Sequence, residues 1–280
     1  PPPPRPDPRE PAPTLDTFLH VAATGGDNLS REAAIAWLDG LARERRPPEP
    51  AALARVLAVL REGGHPSWSP GYRLHLFNSA FNTLHHAPSA EALTALLHGL
   101  LRGDPDPDMR HYALQHLRTQ LQAGRIDGAA AAEIRATLET LAAEPGGALA
   151  GLAVAALVDW DGPDGPDAPA DLADLALATA ADRSRTPDVR VTALHAAGDA
   201  AVPLAREIST DPAEPVILRK AAIARLGRHG DEADLAALEN LRGRTGRLDQ
   251  AVDPALRSLR ARLSDPRAPQ PVPYRTRPLR

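Results

Sequence analysis

The chain has 280 residues, 43% hydrophobic, 24% charged and only 3% aromatic, with a formal net charge of -4. That apolar content excludes a chain disordered throughout, and the length suffices for a substantial core. The absence of cysteine excludes disulfides, thiolate zinc or iron-sulfur centres and cysteine nucleophiles. The longest apolar run, 147–160, is broken by Asp159 and falls short of the roughly 18 to 20 residues of a membrane span.

The chain opens with PPPPRPDPREPAP, residues 1–13, a Pro-rich linker without the apolar stretch of a signal peptide. In polyproline II, at about 3.1 Å per residue, it spans some 40 Å. A start at Pro rather than Met suggests a removed N-terminal segment. One expectation is therefore a spacer from a membrane or lipid anchor, with a periplasmic or membrane-anchored location. The other is a disordered end on a cytoplasmic chain.

From Thr14 onward Pro or a small polar residue opens each Ala/Leu-periodic run, and Gly or Pro closes it. Apolar positions recur at three and four residues, which predicts helices and almost no β-structure. The punctuation places first helices near 14–23, 51–62, 90–102, 128–143, 171–181, 200–208 and 231–242. Their partners fall near 30–45, 71–85, 107–122, 147–158, 187–198, 215–228 and 250–263. Second helices recur every 28 to 41 residues, the period of an α-solenoid. The expected organisation is a solenoid domain over 14–264, followed by a flexible Pro/Arg-rich tail over 265–280.

The repeat is sharpest where the segment from Asp182 is laid over that from Asp211. Val189 falls on Leu218, Arg190 on Arg219, Ala193 on Ala222, Leu194 on Ile223 and Gly198 on Gly227, with no gap. A third copy from Asp104 carries Pro107, Arg110, Ala113 and Leu114 at the spacing of Pro187, Arg190, Ala193 and Leu194. Pro at the first helical position needs no amide partner, a preceding Asp accepts orphan amide hydrogens, and the small Ala admits a neighbouring helix. Gly198 and Gly227 suit helix ends.

These residues resemble the HEAT-repeat family, in particular its short bacterial form of about thirty residues known from bilin lyases. The resemblance covers 104–122 and 182–228, and elsewhere rests on helix spacing. It implies an all-α, right-handed superhelix of about seven helix pairs with second helices along the concave side. It also implies a ladder between turn carboxylates and second-helix guanidiniums, here Asp104, Asp182 and Asp211 with Arg110, Arg190 and Arg219. The Asp-to-Arg spacing is six residues in the first set and eight in the other two.

The chemical motifs point away from catalysis. Ten histidines include no HExxH, no His-Glu dipeptide of the kind on which HEAT-like di-iron hydroxylases depend, and no pair four residues apart. His85 and His86 end a predicted helix, where a cation suits the dipole. The loop DWDGPDGPDAPAD, Asp159 to Asp171, is rich in carboxylates but fails the calcium-loop test: Pro163, Asp164 and Ala170 stand where a ligand, the glycine and the bidentate Glu are required. No GxSxG, GxGxxG or GxxxxGK[ST] occurs. No enzyme activity, metal or cofactor is expected.

Two polar stripes carry the functional expectation. His75, Asn78, Asn82 and His85 recur at helical spacing opposite Leu74, Phe77, Phe81 and Leu84, and His111, Gln115 and Arg118 follow on the next second helix, opposite Tyr112, Leu117 and Leu121. Five of the nine aromatics lie in this region. The expected function is a non-enzymatic scaffold that takes a protein or peptide along the concave face. The alternatives are a nucleic-acid-binding protein working through its Arg-rich C-terminal region and a lyase-related enzyme. From Asp127 to Asp182 eleven acidic residues stand against Arg135, and from Arg242 to Arg280 ten arginines against three aspartates. That asymmetry permits head-to-tail self-association. A pI near 6.2 and a single lysine argue against nucleic acid.

Overall fold

The computed structural model describes residues 14–46, 49–86, 91–161, 170–243 and 246–264. The expected linker 1–13, the tail 265–280 and residues 162–169 of the acidic loop lie outside them. The described residues form fourteen α-helices and a 3-10 turn, with no strand. They divide into two compact units, one ending at Ile134 and the other beginning at Arg135, where helical spacing alone predicts one continuous domain.

The first unit contains α1 (Leu15–Thr24), α2 (Asn28–Glu44), α3 (Pro50–Arg61), α4 (Pro70–Leu84), α5 (Glu91–Gly103) and α6 (Pro107–Gln122). Helix α7 (Gly128–Ala143) runs across the boundary. Its local signals are those of the sequence. Pro70 and Pro107 open α4 and α6, while Ser69 and Asp106 accept the orphan amides of Tyr72 and Asp108 at 3.2 and 2.9 Å. Helices pack as the pairs α1/α2, α3/α4 and α5/α6, with α2 against α4 and α4 against α6. Phe18, Leu38, Leu60, Phe77, Phe81, Leu97 and Leu114 are fully buried in its core.

The second unit contains α8 (Ala150–Asp161), α9 (Ala170–Ala181), α10 (Pro187–Ala196), α11 (Val202–Thr210), α12 (Val216–His229), α13 (Glu232–Leu241) and α14 (Gly246–Ser264), with the 3-10 turn Gly198–Ala201 before α11. Its pairs are α9/α10, α11/α12 and α13/α14, and α8, α10, α12 and α14 pack in succession. Small residues allow the close approach. A Cβ on Gly151 of α8 would stand 2.4 Å from the Val189 carbonyl, and one on Gly227 would stand 2.6 Å from Cα of Ala255 in α14.

Three helices depart most from the expected boundaries, and the first of them, α8, runs Ala150–Asp161 instead of 147–158. Gly198, at φ 57, turns the chain after α10, so residues 198–201 form the 3-10 turn and α11 starts at Val202. The last helix starts at Gly246 instead of 250 because Leu248 and Val252 are drawn into the core, and Pro254 is carried inside the helix. Gly227, expected at a helix end, lies within α12 and serves the contact with Ala255. Matching sequence positions therefore do different work: Gly198 turns the backbone, and Gly227 makes room.

A guanidinium closes five of the helix pairs in the same way. Arg31 Nε donates to the Gly25 carbonyl at 2.7 Å, Arg73 to Gly63 at 3.1 Å, Arg110 to Leu101 at 2.9 Å, Arg190 to Ala180 at 2.8 Å and Arg219 to Ser209 at 3.2 Å. Each Arg sits early in a second helix and satisfies a carbonyl at the open end of the first. Lysine offers neither the Nε donor nor the rigid fork that lets a second guanidinium edge reach elsewhere.

Candidate functional site

The second helices of the first unit hold the predicted polar stripes. On α4, His75 is exposed, and Asn78, Asn82 and His85 are half-buried; on α6, Gln115 is exposed, and His111 and Arg118 are half-buried. Opposite them Phe77, Phe81, Leu84, Leu117 and Leu121 are buried as the helical spacing predicts, with Leu74 and Tyr112 half-buried.

Part of the stripe turns inward. His116 Nε2 donates to Asn78 Oδ1 at 2.9 Å, which leaves the Nδ1 of neutral His116 as the acceptor for His85 Nε2 at 2.6 Å. His85 Nδ1 in turn accepts from the Gln120 amide. The chain Gln120, His85, His116, Asn78 thus has one direction and needs both rings neutral. Burial, followed by the charges of His86 and Arg125, pushes His85 down to about 4. Burial, followed by His85, pushes His116 down to about 3. His85 ends its helix as expected, but its ring joins α4 to α6, and the Arg125 guanidinium covers its carbonyl.

Sequence reasoning misses His116 and Gln120, because helical periodicity gives a side chain a face without giving it a partner. The available signal was the i, i+4 spacing of His116 and Gln120 on α6, matched by the i, i+7 spacing of Asn78 and His85 on α4. His111 and Gln115 bond to each other along α6 at 2.8 Å. The polar face left toward solvent therefore centres on His75, Asn82, the His111–Gln115 pair and Arg118.

The turn carboxylates share one local geometry. Asp104, Asp182 and Asp211 each accept the amide two residues on, at 2.9, 2.9 and 2.8 Å. Their ion-pair partners are not Arg110, Arg190 and Arg219. Asp104 receives Arg73 at 2.5 Å, Asp211 receives Arg183 at 2.5 Å, and Asp182 receives Arg185 at 3.2 Å. Arg190 instead forks onto Glu214 at 2.7 and 3.1 Å, with both residues buried. Links between successive pairs thus run through Arg73–Asp104, Arg183–Asp211, Arg190–Glu214 and Arg206 with Asp231 and Asp234. The pairing follows reach: each of Arg110, Arg190 and Arg219 has its Nε tied to the first helix of its own pair.

Other clusters offer little chemistry. His65 Nδ1 accepts from the Ser67 amide at 3.2 Å and from the Ser67 hydroxyl at 2.8 Å, a local turn ahead of α4. Among the described residues no three His, Asp or Glu side chains gather to hold a metal, and no helix is long and apolar enough to cross a membrane. An open hollow of about 430 Å³ beside α4 and α6 is lined by Pro70, Gly71, Leu74, Pro105 and Pro107 with Asp106 and Asp108. Apart from these two carboxylates its lining is apolar.

No family model matches the sequence. No curated protein and no solved structure matches it either.

Proposed function

We propose that this protein is a non-enzymatic scaffold whose helix pairs stack within each unit as a right-handed, HEAT-like α-solenoid. In this reading the first unit takes a protein or peptide along the concave face formed by its second helices. The observation that carries it is the pairing of α4 with α6. The two helices are locked together by the His85–His116 chain from beneath, while His75 and Gln115 stay exposed above it. A rigid platform with an adaptable polar surface is what recognition of an extended partner requires.

The second unit supports a protein scaffold over a nucleic-acid reader. Arg183, Arg190, Arg206 and Arg260 are held by acidic side chains of the same chain, which leaves those guanidiniums engaged rather than aligned for phosphates. Affinity capture with the wild type and with a His75→Ala, Asn82→Ala, Gln115→Ala, Arg118→Ala variant tests the site. The variant is expected to lose the partners that the wild type retains, and equal recovery removes the proposal. Retention that collapses between low and moderate salt, with a nucleic acid in the eluate, would favour the other reading.

A further inference from the structure

Among the described residues, the C-terminal ends of α10, α12 and α14 gather more positive charge than the carboxylate beside them offsets. Arg225 of α12 is only 5% exposed, yet its NH2 group donates to the carbonyls of His195 at 2.6 Å and Leu194 at 3.2 Å, and its Nε is buried without a partner. Arg262 of α14 repeats the arrangement one helix on: it donates to the Gly230 carbonyl, and its Nε is also buried and unpaired. Both cap the end of the preceding second helix, and neither pairs with a carboxylate among the described residues. Carbonyl dipoles offset a buried guanidinium only in part.

Arg228 and His229 follow Arg225 by three and four residues and so share its side of α12. Arg228 is half-exposed and has no hydrogen bond or ion pair among the described residues. His229 Nδ1 donates to Asp199 Oδ1 at 2.5 Å, and that carboxylate, on the 3-10 turn, is 82% exposed. Burial and then Arg225 hold His229 below the ordinary histidine value, so at neutral pH the imidazole is uncharged and donates to Asp199 as a neutral group. Among the described residues, the guanidiniums of Arg225, Arg228 and Arg262 against the Asp199 carboxylate leave an excess of two positive charges.

We propose that this end of the second unit binds a phosphate dianion, free or carried on a monoester. Arg228 and His229 contact its oxygens within the field of Arg225 and Arg262. Asp199 is the internal occupant: a solvent-exposed carboxylate that bonds to the half-buried His229 imidazole and leaves when a group of higher charge arrives. A dianion matches the local excess, and a guanidinium fork matches phosphate oxygens. The site is one helix end wide, so it suits a single phosphate group better than a polyanion, whose binding needs contacts repeated along a backbone. It lies outside the unit that carries the proposed scaffold face, so either reading can fail without the other.

The test is calorimetric titration of the full chain at pH 7.5 and constant ionic strength with inorganic phosphate and, separately, with phosphoserine. Saturable one-to-one binding of either is expected, and the tighter of the two identifies the source of the group. Arg228→Gln should weaken binding about tenfold or more. Asp199→Asn should strengthen it several-fold, a gain that misfolding cannot produce. Absence of saturable binding, equal competition by chloride, indifference to Arg228→Gln, or anything other than a gain with Asp199→Asn overturns the assignment.

Discussion

His85 and His116 lie stacked across α4 and α6 with ring centroids 4.9 Å apart, and a single proton joins their facing nitrogens. Protonating either ring would set two N–H groups against each other in a buried chain that ends on Gln120, whose Oε1 already lacks a partner. The contact thus makes the junction of the second and third helix pairs sensitive to acid.

Both rings titrate below the 6.5 of an ordinary histidine, at about 4 and about 3. Between those values and 6.5 the unfolded chain binds more protons than the folded one. Stability is therefore complete above about pH 6.5 and falls as pH drops toward 4 and then 3. His86, His98 and His111 in the same unit are lowered as well, by burial first, and add the same sign. Urea midpoints measured from pH 7.5 to 4 should decline steadily. His116→Gln should lower stability at pH 7.5 by about 1–3 kcal/mol while flattening the decline. A slope equal to that of the wild type would place the acid sensitivity elsewhere.

In the second unit, Arg190 and Glu214 are 3% and 6% exposed, and Arg190 also closes its own helix pair through Ala180. Glu214→Ala leaves a buried guanidinium without its counter-charge, and should cost about 3–5 kcal/mol in urea unfolding. Arg190→Lys keeps the charge but loses the fork and the Nε bond, and should cost about 1–3 kcal/mol. A smaller loss for Glu214→Ala than for Arg190→Lys would contradict this account.

Alanine at the two aligned glycines should give unequal penalties. At Gly227 the added carbon meets the Ala255 backbone, and forcing α12 from α14 should cost about 1–3 kcal/mol or more. At Gly198 the space is open and only φ 57 resists, so Gly198→Ala should cost about 1–2 kcal/mol. Thermal unfolding of both variants ranks them, and the reverse order would refute the close-packing role of Gly227.

The helices were legible because their signals are local. Pro107 and Pro187 sit at the first positions of α6 and α10, where neither needs an amide partner, and Leu/Ala spacing marks the buried side without reference to any neighbour. The likeness of Asp104, Asp182 and Asp211 was equally readable, since each folds back on an amide two residues away. The boundary between the two compact units within α7 was not, because helical spacing continues through it unchanged.

Pairing across repeats was decided in three dimensions. A guanidinium carries five donors, and several carbonyls and carboxylates stand at comparable sequence distance from it. Only the stacking of helix on helix brings Arg190 to Glu214 instead of Asp211, and gives Asp104 to Arg73. The same holds for His116: its period on α6 sets a direction, and the approach of α4 supplies Asn78 and His85 as partners. Short-range periodicity places a side chain on a face, whereas the choice among rival hydrogen-bond partners depends on distances that the folded packing alone creates.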